Sequence, residues 1–225
     1  MMSFISYFIN GLSLGSVYAI IALGYTMVYG IAKMLNFAHG DVIMIGGYVV
    51  FTVVSTMGLP PAVGILLAVI ICTVLGVTIE KVAYRPLRMA SPLAVLITAI
   101  GVSYLLQNIA LLVFGSNPKS FTSVVTIPAL KLAGGRLTIS GETLVTIVSC
   151  IVIMIVLTTF IKKTRAGQAM LAVSEDKGAA QLMGINVDGT IALTFAIGSA
   201  LAAIAGTLLC SAYPTLTPYT GSMPG

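Results

Sequence analysis

The sequence predicts an all-α fold, a polytopic bundle of about six transmembrane helices, and two observations lead to it. Of the 225 residues, 58% are hydrophobic and only 8% are charged, and the mean hydropathy is +1.10. Soluble globular domains carry about 25% charged residues, so many apolar side chains here must face lipid. The apolar residues also form long continuous runs, whereas strands of a membrane barrel alternate in segments of about 10 residues.

Six apolar runs approach the roughly 20 residues that a helix needs to cross the hydrocarbon. We expect residues 1–225 to form a single transmembrane domain. The second run is short, and it reaches full length only if residues 39–41 are included. The predicted spans are Phe4–Ile31, Val42–Met57, Pro61–Ile79, Pro92–Phe114, Thr143–Ile161 and Thr190–Tyr213.

Basic residues set the expected orientation, because cytoplasmic loops are enriched in lysine and arginine. They cluster after the third span and after the fifth. We therefore expect a cytoplasmic loop at residues 162–189, an external loop at residues 115–141 and an external N-terminus. The rule is obeyed only moderately, since the external loop also carries three basic residues. The cluster after the third span is Lys81, Arg85 and Arg88, and the cluster after the fifth is Lys162, Lys163, Arg165 and Lys177. The three basic residues of the external loop are Lys119, Lys131 and Arg136.

Two further patterns concern local structure. In the external loop, the β-prone segments Phe121–Ile127 and Arg136–Ser140 are consistent with a small hairpin or, equally, with an irregular loop. Small residues spaced four apart favour close helix packing. They occur as Gly11 and Gly15 in the first span and as Gly198, Ala202 and Gly206 in the sixth.

A polar segment at residues 35–41 separates the first two spans. It holds the only histidine of the chain, His39, beside Asn36, Gly40 and Asp41. Polar groups at membrane depth are expensive and usually face the protein interior or a water-filled path. We expect this segment to interrupt the bundle near such a path, and the alternative is a plain turn outside the membrane.

A second unusual segment lies in the loop after the fifth span. Ser174 is a good N-cap and Gly184 a natural helix stop, which predicts a short helix over Glu175–Met183 with acids in its first turn. Asp188 is placed to cap the next span. The helix is a docking element or, equally, a surface helix lying along the bilayer. Its expected exposed residues are Ala179, Ala180, Leu182 and Met183.

No catalytic motif is found. The sequence has no Walker lysine loop, HExxH, CxxC or GxSxG pattern, so we expect no enzyme activity, no ATP hydrolysis by this chain, no cofactor and no metal site. The cysteines Cys72, Cys150 and Cys210 each lie inside an apolar run and are expected to be buried hydrophobes. The net charge of +5 comes from loop clusters, so no nucleic-acid partner is expected.

Several segments together resemble the permease subunits of bacterial branched-chain amino-acid ABC transporters, in the order and spacing of that family. The match looks closest to the shorter, histidine-containing permease type. The resemblance runs from about Phe8 to the C-terminus. The matching segments are residues 10–30, 35–41, 80–88, 97–104 and 166–184, the last of which matches the family's cytoplasmic coupling loop.

The resemblance implies a subunit of an ATP-driven importer of branched-chain, hydrophobic amino acids in the bacterial inner membrane. The implied partners are a second permease, two cytoplasmic ATPase subunits, an external binding protein and the lipid membrane. Family members continue with further spans, so C-terminal spans are expected to be missing here. Alternatives are a urea or short-amide importer of the same type, a self-sufficient channel and a secondary transporter.

The resemblance and the polar segment together nominate two groups of site residues. The first is expected near the translocation path, and the second is implied to couple ATPase motion to the membrane. The translocation group is Asn36, Phe37, His39, Gly40 and Asp41, and the coupling group is Glu175, Asp176, Gly178, Ala179, Ala180 and Gly184.

Overall fold

A computed structural model describes residues 2–88, 90–121, 123–125, 127–132 and 137–221 of the chain. Six of its helices are long and apolar enough to cross a membrane, which confirms the predicted fold class. The helices in chain order are α1 (Met2–Ala32), α2 (Ala38–Phe51), α3 (Pro61–Ile79), α4 (Pro92–Phe114), α5 (Gly141–Lys163), α6 (Arg165–Glu175), α7 (Lys177–Leu182) and α8 (Val187–Ala212).

Local signals in the sequence place several helix starts. Proline stands at the first position of α3 and α4, where its missing N–H costs nothing. The hydroxyl of Ser140 accepts a hydrogen bond from the Thr143 N–H and caps α5. The bounds of α3 and α4 agree with the predicted spans, and the other four spans were placed within a few residues.

The second span is longer than its apolar run. Helix α2 begins at Ala38 and continues through a π-helical turn, Thr52–Thr56, to give a spanning segment of 19 residues. Residues 39–41 therefore complete this span, as the shortness of the run indicated. Helix α3 is extended in the same way by a π-helical turn, Glu80–Tyr84, and a 3₁₀ turn, Arg85–Leu87.

Helix α8 is the centre of the bundle and packs closely on three other spans. A Cβ atom built on Gly46 of α2 would lie 2.9 Å from the Cα of Ala203, and one on Gly206 would collide with the Ile43 carbonyl. Gly24 of α1 faces the carbonyl of Gly198. The predicted small-residue face of the sixth span is therefore confirmed.

The first-span pair behaves differently. Nothing lies within 4 Å of a Cβ atom built on Gly11 or Gly15, and both residues are exposed. Within the described part of the chain, no other helix therefore packs against the predicted face of α1 at these two glycines.

Short strands accompany the helices. Strand β1 (Lys119–Ser120) pairs antiparallel with β4 (Thr215–Leu216), and β2 (Leu130–Leu132) pairs antiparallel with β3 (Leu137–Ile139). Of the two alternatives for the external loop, the hairpin is present, but one of its strands was predicted at the wrong place. Its first strand is β2 and not the segment 121–127, while the glycines at 134 and 135 lie outside the described residues.

The loop after α5 contains two helices, where one was predicted. Ser174 lies inside α6 and donates its hydroxyl to the Leu171 carbonyl, so it does not cap a helix. Asp176 is the N-cap of α7, because its Oδ1 accepts from the Gly178 and Ala179 N–H groups. The predicted start at Glu175 was wrong because both residues are good caps and the sequence alone does not rank them.

The other end of this loop also needs a correction. Gly184 has a φ of 81°, as expected of a helix stop. Asn186, not Asp188, caps α8, since its Oδ1 accepts from the Gly189 N–H at 2.9 Å. Asp188 instead lies in the first turn of α8 and pairs with arginines of the loop before α4.

The close contact of α2 with α8 is testable. We expect Gly46→Leu to lower the free energy of unfolding by about 1–3 kcal/mol, since the added side chain must push α2 away from Ala203. Gly101→Leu is the matched control, because nothing lies within 4 Å of a Cβ atom at that mid-helix position. The measurement is reversible unfolding in mixed micelles, and equal losses for both variants would contradict the packing argument.

Candidate functional site

The helix break between α1 and α2 holds a buried polar pair. Residues 33–37 are non-helical, and Asn36 within them is only 4% exposed. The hydroxyl of Tyr84 donates to the Asn36 Oδ1 at 3.0 Å. Tyr84 comes from the π-helical turn after α3 and is itself fully buried. A buried amide in the bundle needs such a partner, and here it ties the break to α3.

His39 lies in the first turn of α2 and is 3% exposed. It packs against α1, with the Tyr25 ring edge-on at 6.0 Å between centroids. A Cβ atom on Gly24 would lie 2.9 Å from the His39 Cε1, so only glycine leaves room for the imidazole. The Nε2 of His39 has no hydrogen-bond partner among the described residues.

Asp41 is the acidic group of the site and is 2% exposed. The Gln107 side chain of α4 donates to the Asp41 Oδ1 at 3.0 Å and to the Ser103 Oγ at 3.2 Å. The second carboxylate oxygen, Oδ2, has no partner in the described part of the chain. A buried carboxylate with one oxygen unpaired can still accept a hydrogen bond from a donor that enters the site.

A cavity of about 410 Å³ lies beside this carboxylate. Its described lining residues include no lysine or arginine, so Asp41 gives it a negative character. Phe37, which is 42% exposed, and Gly40 belong to the same wall. The full lining is Phe37, Gly40, Asp41, Ile100, Ser103, Tyr104, Gln107, Tyr219 and Gly221.

The chain after α8 turns back along α2 to close the cavity. Leu216 is fully buried, with its Cδ1 3.2 Å from a Cβ atom built on Gly47. Further on, the backbone of Gly221 meets Gly40 so closely that a side chain at either position would collide with the other backbone. Glycine at both positions is therefore a condition of this approach.

Of the five residues predicted near a path, Phe37, Gly40 and Asp41 line this cavity, whereas Asn36 and His39 do not. Asn36, His39, Gly40 and Asp41 are all buried, and Phe37 is exposed. The break covers only residues 33–37, while His39, Gly40 and Asp41 are helical. Asn36 and Gly40 are of residue types that often break helices, so the sequence predicted a longer break than the structure shows. The first turn of α2 is helical because it packs on α1 and α8.

Sequence reasoning missed the partners Gln107, Ser103 and Tyr84. Gln107 is a polar side chain in the middle of an apolar run, and that alone marks an intramembrane residue for attention. Tyr84 carried no comparable signal, since tyrosine is common near span ends.

A partly buried ion-pair network was also missed. Glu80 is 1% exposed, and Arg88 binds both Glu80 and Asp188, while Arg85 binds Asp188 from the surface side. The network joins the end of α3 to the start of α8. Its location at that end of the bundle, away from the cavity, indicates a structural role.

The predicted coupling residues lie around α7. Glu175 ends α6 and is exposed, as are Asp176, Gly178 and Ala179. Ala180 was expected to be exposed and is not, since it is 3% exposed and faces the bundle. Leu182 and Met183 are exposed as predicted, at 89% and 82%. Within the described residues, no group of three histidine, cysteine or acidic side chains could hold a metal ion.

Six spanning helices with a polar cavity between them define a multi-pass membrane protein. The chain belongs to the family described as branched-chain amino acid transport system / permease component, whose model matches residues 7–224. This confirms the family to which the sequence motifs pointed.

Individual relatives agree with the family. The chain is 43% identical to the high-affinity branched-chain amino acid transport system permease protein LivH of Escherichia coli, over 99% of this chain and 75% of the relative. It is 42% identical to the corresponding protein BraD of Pseudomonas aeruginosa, over 96% and 74%. A probable LivH of Methanocaldococcus jannaschii is 28% identical, over 91% and 65%.

No solved structure gives a significant match to the chain. The six spans and the permease relatives together confirm the predicted location, a multi-pass protein of the bacterial inner membrane.

The Tyr84–Asn36 pair gives a prediction on stability. We expect Tyr84→Phe to lower the free energy of unfolding by about 1–3 kcal/mol, because it leaves the buried Asn36 amide without its donor. Tyr7→Phe is the control, since Tyr7 is 76% exposed. Unfolding in mixed micelles measures both, and an unchanged Tyr84→Phe midpoint would mean that another group already satisfies Asn36.

Proposed function

We propose that the chain is the permease subunit of an ATP-driven importer of branched-chain, hydrophobic amino acids, with ATP hydrolysis on separate subunits. Membership of the permease family is the observation that carries this proposal. The relatives are named for high-affinity transport of the same substrates. An importer of urea or short amides with the same permease type remains the alternative substrate class.

The orientation follows from the two ends of the bundle. Residues 33–37, 85–88, 90–91 and 164–186 share one end, as the hydrogen bond from the Lys177 Nζ to the Ala32 carbonyl and the pairs of Asp188 with Arg85 and Arg88 support. Eight of the chain's 11 lysine and arginine residues belong to this end, when Lys81, Lys162 and Lys163 in the adjoining helix ends are counted with the five in these ranges. We assign it to the cytoplasm, which puts the loop at residues 115–141 and the N-terminus outside.

We place the translocation path beside Asp41. A free amino acid carries an ammonium and a carboxylate, so its passage through a bundle needs polar groups and water. The cavity at Asp41 offers a buried carboxylate with one unpaired oxygen, the Gln107 amide, the Ser103 hydroxyl and no basic side chain among its described lining. Phe37 and Gly40 complete the wall, while Asn36 and His39 hold the start of α2 in position.

The ATPase subunits are proposed to dock on α7. The helix and its flanks expose Gly178, Ala179, Leu182 and Met183, which is an apolar surface without a partner in the described chain. Its inner side is anchored by the buried Ala180, and Lys177 ties it to the end of α1. A displacement of α7 would therefore be transmitted directly to α1. A second permease and an external binding protein complete the proposed assembly.

The Asp41 assignment can be tested in the assembled transporter. We expect Asp41→Asn to lower the uptake of radiolabelled leucine roughly tenfold, since a charged acceptor is lost from the path. Glu142→Gln, at the opposite end of the bundle in the first turn of α5, is the charge-matched control. Reconstituted proteoliposomes give the rate, and normal uptake by Asp41→Asn would remove this carboxylate from the path.

The proposed docking role of α7 can be tested by substituting Gly178. We expect Gly178→Trp to uncouple ATP hydrolysis from leucine uptake or to prevent assembly, because a docking helix needs close approach at its small face. The chain itself should fold, since a Cβ atom there meets only the Asp176 Oδ1 at 3.3 Å.

Gly178→Ala is the matched control and should assemble normally. Co-purification of the ATPase subunits and the ratio of ATP hydrolysed to leucine imported are the measurements. A Gly178→Trp transporter that assembles and transports like the parent would exclude α7 as the coupling element.

A further inference from the structure

A second cavity, of about 330 Å³, lies at the end of the bundle where α1 ends and α4 begins. Three cationic residues line it: Lys33 after α1, Arg88 before α4 and Lys177 of α7. None of its described lining residues is acidic. Its remaining lining is largely apolar, and the residues are Tyr29, Met34, Leu35, Ala90, Pro92, Val95 and Leu96.

The three cations act on one another across this cavity. The pKa of Lys177 is lowered by burial first and then by the nearby charges of Arg88 and Lys33. Arg88 already uses two of its nitrogens on Glu80 and Asp188, and Lys177 donates to the Ala32 carbonyl at 2.7 Å. Lys33 is exposed and has no acidic partner in the described chain. An anion between Lys33 and Lys177 would relieve their repulsion.

The backbone fixes the position of Lys33 at the end of α1. Lys33 has a φ of 57°, the left-handed conformation that a lysine rarely adopts, and it is the only such non-glycine residue among those described. Its backbone N–H bonds to the Tyr29 carbonyl and holds it there. Helix α4, of 23 residues, begins at the cavity with its positive N-terminal end, while the negative C-terminal end of α1 opposes it, so the three side chains set the sign of the field.

The surroundings of the cavity are those of the lipid interface. Tyr29 is 49% exposed at its rim, and tyrosine is enriched where membrane meets water. On the same helix as Pro92 and Val95, Leu93 and Ile97 are 64% and 61% exposed and apolar. A ligand with a negative head and a long apolar tail would match both the cations and this neighbouring surface.

We propose that this basic cavity binds the phosphate group of an anionic phospholipid, whose acyl chains lie along the exposed apolar side of α4. The lipid then joins the end of α1 to α7, two elements already linked through Lys177. The site is separate from the cavity at Asp41 and does not depend on the substrate of the transporter.

The test uses the purified chain in mixed micelles, with native mass spectrometry and the unfolding temperature as readouts. Phosphatidylglycerol, zwitterionic phosphatidylcholine and inorganic phosphate are added separately. Lys33→Asn is the main variant, because asparagine adopts the left-handed conformation more readily and so removes the charge without straining the fold. Lys163→Asn is the matched control, at an exposed lysine of the same end that does not line the cavity.

We expect one phosphatidylglycerol to bind and to raise the unfolding temperature, as a ligand specific to the folded state must. Lys33→Asn should weaken this binding about fivefold, the effect of removing one basic residue near an anionic surface, and Lys163→Asn should not. Lys177→Gln should weaken it similarly.

Four outcomes would overturn the proposal. Equal binding of phosphatidylcholine, or equal weakening by Lys163→Asn, would indicate association without this site. Full stabilisation by inorganic phosphate alone would make the ligand a free anion. Loss of the bound lipid when the ATPase subunits assemble would indicate that an acidic side chain of a partner occupies the cavity.

Discussion

The close backbone contact of α8 with its neighbours is the constraint on which the rest of the structure depends. Between lipid-facing helices there is no hydrophobic driving force, so association relies on van der Waals packing and hydrogen bonds. Small residues at Gly46, Gly198 and Gly206 permit that packing. As a result, 67% of the most apolar segment of the α2 span is buried inside the bundle, and the same share holds for α8. Only 11% of the corresponding segment of α5 is buried. The other spanning helices surround α2 and α8 only in part.

Burial of α2 has a consequence for its polar first turn. Because the interior contains little or no water, each buried polar group must find a protein partner or leave an atom unpaired. Asn36 and one oxygen of Asp41 have such partners on α3 and α4, whereas the second Asp41 oxygen does not. Asp41 itself lines the cavity. The packing that stabilises the bundle thus leaves one buried acceptor unpaired next to it.

The two ends of the bundle are built differently. One end carries most of the basic residues, the α6–α7 pair and the ion pairs of Glu80 and Asp188. The other end carries the short strands, where β4 returns from α8 and pairs with β1. Helix α7 contacts the bundle through Ala180 and Lys177 and leaves Leu182 and Met183 uncovered. It is therefore both attached to α1 and open to a partner.

Apolar run length and proline position determined the number of spans and the bounds of α3 and α4, because both signals are local. The motifs around His39 and Gly178 likewise led to the family without any coordinates. The choice of Asp176 over Ser174 as a cap and the pairing of β2 with β3 are local, but the sequence signals did not rank the competing positions. The burial of Ala180, by contrast, was decided by tertiary structure. The same holds for the meeting of Asp41 with Gln107, 66 residues apart. Such contacts depend on how whole helices approach one another, which the periodicity of a single segment does not contain.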